Sequence, residues 1–83
     1  MFHAAICITV GRRIRILRTE KGWTQQVLAD HAELTREHLS ELESGKKEIG
    51  IRALDRIAKA LEVPPAKLFS ASVVSFTRFE RLL

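Results

Sequence analysis

Residues 24–43, TQQVLADHAELTREHLSELE, carry two helix starts and one break. Thr24 and Thr35 each stand just ahead of a helical apolar pattern, where a threonine hydroxyl accepts a backbone N–H and opens a helix. Leu28, Ala29 and Ala32 supply a buried face for the first segment, and Leu39 and Leu42 for the second. Gly45 lies just past the end of the second. Glu33-Leu34 leaves room only for a tight turn. The stretch therefore predicts a helix of about two turns, a sharp corner and a second helix.

Upstream, VGRRIRILRTEK (residues 10–21) places Val10, Ile14, Leu17 and Lys21 on one helical stripe, with Arg12, Arg13, Arg15 and Arg18 around it. Gly22 ends that helix, and Trp23 follows as an apolar residue expected to pack on the core. Downstream of SGKKE, the residues Ile51, Leu54, Ile57, Ala58 and Leu61 form an amphipathic pattern. Val63-Pro64-Pro65 stops it, because a residue before proline avoids the helical region. Proline in a first turn then predicts a short fifth helix that buries Leu68 and Phe69. Two end segments stay open. AICITV reads either as a short strand or as an extension of the first helix through Ile6, Val10 and Ile14. SVVSFTRFERLL carries Val73, Phe76, Phe79, Leu82 and Leu83, which either cover the core or meet a second copy, and a dimer contact is the preferred reading. The expectation is an all-α chain: one domain over 1–83, a helix-turn-helix core over 10–69 and a C-terminal tail over 70–83.

At 83 residues, the chain buries about 60–65% of its unfolded surface, which argues against a large enclosed substrate pocket. No stretch reaches the ~20 apolar residues of a membrane span. MFHAAICITVGRR places its arginines after the apolar run, whereas an export signal needs positive charge before it. Cys7 is the sole cysteine; it forms no internal disulfide and no cysteine-based zinc site, and this usage fits a reducing cytoplasm. With 14 basic against 10 acidic residues, a net charge of +4 and a pI near 9.8, the composition favours an anionic partner. A solvated basic surface is the plainer alternative.

Enzyme chemistry finds little support. His38 with Glu41, and His3 with Cys7, stand at helical spacings for two ligands, but neither pair has a third ligand nearby. SGKK resembles the end of a phosphate loop, yet the position five before Gly45 is Ser40. There is no nucleophile, base and orienter set. The expectation is a non-enzyme with no metal and no cofactor.

Three motifs follow one another in fixed order: R-x-L-R before G-W-T-Q and L-A, then L-T-x-x-x-L-S-x-L-E-x-G, then I-A-K-A-L-x-V-x-x-x-x-L-F. This series, running from Val10 to Phe69, resembles the Cro/C1-type (XRE-like) helix-turn-helix family. That family comprises small DNA-binding domains of phage repressors, restriction–modification controllers and antitoxins. The resemblance implies a compact five-helix lambda-repressor-like domain whose third helix, Arg36 to Ser44, lies in the major groove while the second crosses the backbone.

With Leu39 and Leu42 inward, the outer face of the third helix carries Arg36, Glu37, Ser40 and Glu41. Arg36 has the fork that pairs with guanine O6 and N7, worth about 1–3 kcal/mol of discrimination. Glu37 and Glu41 suit a cytosine amino group, and Ser40 serves a base or a phosphate. In similar proteins the positions of Arg36, Glu37 and Glu41 make base contacts. The plainer reading makes each of the two glutamates, four apart and mutually repelling, a solvated carboxylate or a partner for a neighbouring arginine. Gln25 begins the second helix, where its amide and the free N–H groups suit a phosphate oxygen, and similar proteins make that contact. Lys46, Lys47 and Arg52 flank the next loop as phosphate contacts or as ordinary surface charge. For Arg18 and Glu43 the resemblance implies an internal ion pair. Glu33 departs from the family, where glycine is usual at this corner; a positive φ costs a glutamate about 1 kcal/mol. The expected function is a sequence-specific regulator, of repressor type, bound to double-stranded DNA as a homodimer on an inverted repeat. The rival from another class is a protein-interaction module or antitoxin-like partner.

Overall fold

A computed structural model describes residues 2–69 of the chain. Four α-helices follow one another: α1 Phe2–Glu20, α2 Gln25–Ala32, α3 Arg36–Glu43 and α4 Ile51–Leu61, with a 3-10 turn at Pro65–Phe69. No strand occurs among the described residues.

The open reading of AICITV resolves as helix. Its β-branched residues have no strand to pair with, and helical spacing carries Val10 and Ile14 into the core at 2% and 0% exposure. Gly11 explains how closely α1 packs against α3. A Cβ at Gly11 would stand 2.3 Å from the Leu42 carbonyl oxygen and 2.7 Å from that of Glu43. A mid-helix glycine costs up to about 1 kcal/mol, and here it lets α1 lie against the backbone at the end of α3.

All four helices end in one way. Hydrogen bonds such as Trp23 N to Arg18 O (3.1 Å), Leu34 N to Ala29 O (2.9 Å), Lys46 N to Glu41 O (3.0 Å) and Val63 N to Ala58 O (3.0 Å) close the last turn, the Schellman geometry with a left-handed residue just before the donor. Glycine takes that position at Gly22 and Gly45, and glutamate at Glu33 and Glu62, with φ of 58° and 61°. Thr24 and Thr35 open α2 and α3, their hydroxyls accepting from Val27 N (3.2 Å) and His38 N (3.0 Å).

Ile14, Leu28, Leu39, Ile57 and Leu68 are fully buried and join the four helices and the turn into one core. Trp23 packs against it and stacks on His31 with ring centroids 4.4 Å apart. Three expectations need correction. The fifth helix is a 3-10 turn over Pro65–Phe69, where Lys67 N donates to Pro64 O, an i+3 bond. Ile51 is 86% exposed: it is the first residue of α4, at the edge of an inward arc made by Ala53, Ile57, Ala58 and Leu61. Phe69, at the end of the turn, is 46% exposed while Leu68 takes the buried position. The readings of the tail over 70–83 lie outside the described residues. No helix among the described residues is long and apolar enough to cross a membrane.

Candidate nucleic-acid interface

A recognition surface on so short a helix needs a fixed orientation, and α3 is held at both ends. At its start, Thr35 caps it after the left-handed corner at Glu33. Toward its end, Glu43 enters a buried network. Arg18 of α1 donates from Nε to Glu43 Oε2 (2.7 Å) and from Nη2 to Oε1 (3.0 Å). Its third nitrogen, Nη1, donates to the Trp23 carbonyl at 2.7 Å, just ahead of α2. Gln25, the first residue of α2, donates from Nε2 to Glu43 Oε1 at 3.1 Å. The side chains of Arg18 and Glu43 are 11% and 4% exposed. No buried side-chain polar atom among the described residues lacks a partner. Two charges, one amide and one carbonyl thus lock three helices together.

The outward face of α3 follows from that lock. Leu39, Leu42 and Glu43 are buried; Arg36, Glu37, Glu41 and Ser44 are exposed, and Ser40 is half-buried between them. These five line one side, so the four base-contact candidates share a face and Ser44 extends it. Among the described residues neither Arg36 nor Glu37 makes an ion pair, whereas Glu41 pairs with Lys47 at 3.4 Å. Glu43 is neutralised by Arg18, so of the three carboxylates on α3 only Glu37 stands outside an ion pair.

The phosphate-contact candidates are less alike. Gln25 is half-buried and gives one amide hydrogen to Glu43, leaving the second for another acceptor. Lys46 and Arg52 are exposed, Lys46 in the loop after α3 and Arg52 in the first turn of α4. Lys47 is also exposed but shared with Glu41. Three ties were missed from sequence: Gln25–Glu43, Lys47–Glu41 and Arg56–Glu33, the last at 3.9 Å. None joins residues at a helical spacing, so no periodic signal exposes them. Gly11 was missed too, although a lone glycine within a helical pattern is a recognised sign of close approach.

Comparison with known proteins agrees with the fold. Residues 14–68 match the family model described as helix-turn-helix. A competence pilus inhibition repressor of Acinetobacter baylyi is 37% identical over 60 residues, covering 72% of this chain and 54% of the relative. An immunity repressor protein of Bacillus phage phi105 is 36% identical over 56 residues, covering 68% of this chain and 39% of the relative. The chain thus spans about half the length, or less, of these curated relatives. Among solved structures, the restriction-modification controller protein C.AhdI from Aeromonas hydrophila superposes with a TM-score of 0.76 at 34% identity, covering 78% of this chain and 98% of that one.

Proposed function

Because this chain belongs to the helix-turn-helix family of DNA-binding transcription regulators, we propose that it binds double-stranded DNA sequence-specifically and controls transcription, with α3 in the major groove. One observation carries the reading: an eight-residue helix with Arg36, Glu37, Ser40 and Glu41 on one outward face, anchored from behind by the buried Arg18–Glu43 pair. Arg36 reads a guanine through its paired nitrogens, while Glu37 and Glu41 accept from cytosine amino groups. Gln25, Lys46, Lys47 and Arg52 hold phosphates and set the register without reading sequence.

One α3 reaches only a few base pairs. Useful specificity follows when two chains related by a two-fold axis engage half-sites about one helical turn, ~34–36 Å, apart. The small number of base pairs within reach of one eight-residue helix supports this symmetric-dimer reading, in a lambda-repressor-like arrangement. The chain's chemistry is binding, with no catalytic step and no cofactor.

Selection from a randomised duplex pool tests the proposal. An enriched inverted repeat with half-sites one turn apart is the expected outcome. Affinity should fall steeply with salt, by about 10³-fold or more between low and physiological salt if six phosphates are neutralised. A pool retained without any motif, or an affinity indifferent to salt, would move the reading to a protein-partner surface on the same helix.

A further inference from the structure

One apolar face of the described core is left uncovered. Ile6 of α1, Ile51 of α4 and Phe69 of the 3-10 turn are 43%, 86% and 46% exposed. They are not scattered: Ile6, Val10 and Phe69 line two adjoining depressions, the second of which runs on to Ile51 and Leu54. Single exposed apolar residues are ordinary, but a contiguous group asks for a partner.

The chain leaves the described core from this face. Phe69 borders both depressions, and residues 70–83, SASVVSFTRFERLL, come next. That segment is rich in large apolar residues, Val73, Val74, Phe76, Phe79, Leu82 and Leu83, interleaved with Thr77, Arg78 and Arg81.

We propose that the segment 73–83 covers this face of its own chain, its apolar residues Phe76 and Phe79 supplying the partner for Ile6, Ile51 and Phe69. Tethering decides between the chain's own segment and a second copy's. Six residues separate Phe69 from Phe76 and span up to about 20 Å. A tether that short holds the segment at an effective concentration on the order of millimolar. A second copy at micromolar concentration competes at a roughly thousandfold disadvantage.

Cys7 is a built-in reporter: it is the sole cysteine, half-buried, and lines the depression between Ile6 and Ile51. The full chain is alkylated with iodoacetamide without DNA, and the rate at Cys7 is followed by mass spectrometry. Phe76→Asp with Phe79→Asp should raise the rate about tenfold with helical circular dichroism of the core retained; Phe76→Leu with Phe79→Leu should leave the rate near wild type. Wild-type protection should not change with protein concentration. Equal rates in wild type and the aspartate variant overturn the proposal, and so does protection that grows with protein concentration, which assigns the face to a second copy. Should the aspartate variant unfold, Phe79→Cys decides: oxidation gives a disulfide to Cys7 within one chain if the proposal holds, and a covalent dimer if it does not. The inference is independent of the DNA reading, since no DNA is present in either measurement.

Discussion

Replacing Arg18 by methionine isolates what the buried network contributes. The change removes three hydrogen bonds at once: two to Glu43, at 2.7 and 3.0 Å, and one to the Trp23 carbonyl at 2.7 Å. Glu43, 4% exposed in its side chain, then keeps a single partner, the Gln25 amide. Breaking a buried pair from one side costs about 3–5 kcal/mol, because the remaining charge stays desolvated and unpaired. A small domain has about 5–15 kcal/mol in total, and each 1 kcal/mol moves its Tm by about 4–8 °C. Arg18→Met should therefore lower Tm by at least about 12 °C, taking the low ends of both ranges. Adding Glu43→Leu removes the stranded charge, and apolar replacement of a whole buried pair is often neutral or better. The double variant should recover to within about 1 kcal/mol of wild type, a coupling of about 2 kcal/mol or more. Urea denaturation of all four members of the cycle measures this. Additive losses, or single variants each costing under about 1 kcal/mol, would refute the claim that the pair is desolvated and mutually required. The recovered double variant also separates stability from binding. Its Gln25 has lost the acceptor that orients it, so DNA affinity should stay below wild type although the fold is restored.

Three further perturbations test other parts of the reasoning. Glu33→Gly relieves a left-handed backbone (φ 58°) and loses only an exposed pair to Arg56 at 3.9 Å, so stability should rise by about 1 kcal/mol; a fall in the thermal midpoint would contradict the strain argument. Gly11→Ala forces a Cβ to within 2.3 Å of the Leu42 carbonyl oxygen, and thermal denaturation should show a loss of about 1–3 kcal/mol despite alanine's better helix propensity. Arg36→Ala should relax preference at one base pair by about 1–3 kcal/mol, whereas Lys46→Ala should weaken all sequences alike and reduce the salt slope by about 1; binding titrations on matched and altered duplexes distinguish the two.

Local signals carried most of the fold. The threonine caps, the inward leucines of α3 and the glycine ends at Gly22 and Gly45 are each written within a few residues, and each appears at its expected place. Glu62 is different: it takes the same left-handed position as Gly22 and Gly45, but nothing marks a glutamate for that role, and only the following prolines announced the stop. The length of α1 was illegible for another reason. Its start depends on Gly11 lying against the end of α3, and on Gly45, where a Cβ would stand 2.9 Å from the Ile8 side chain. Both are contacts between residues more than thirty positions apart. Ile51 and Phe69 misled because periodicity gives direction around a helix and says nothing of whether another element lies over its first or last residue.

The site divides along the same line, and its electrostatics show what the division hides. As a string, α3 presents one arginine and three glutamates, a poor helix to bring near a polyanion. Folded, Glu43 is withdrawn into the pair with Arg18, and Glu41 is matched by Lys47. These two neutralisations differ in kind. The first is buried and doubly hydrogen-bonded. The second joins side chains 60% and 47% exposed, worth about 0–1 kcal/mol, so a phosphate oxygen competes for Lys47 at little cost. On the proposed reading, a phosphate that takes Lys47 should leave Glu41 free to accept from a cytosine amino group in the groove. Lys47→Ala should then unmask Glu41 in the free protein while removing a phosphate contact, so it should weaken binding to every duplex and lower the salt slope by about 1. A salt slope unchanged in Lys47→Ala would contradict the exchange of partners, and the acidic balance of α3 would then need another explanation.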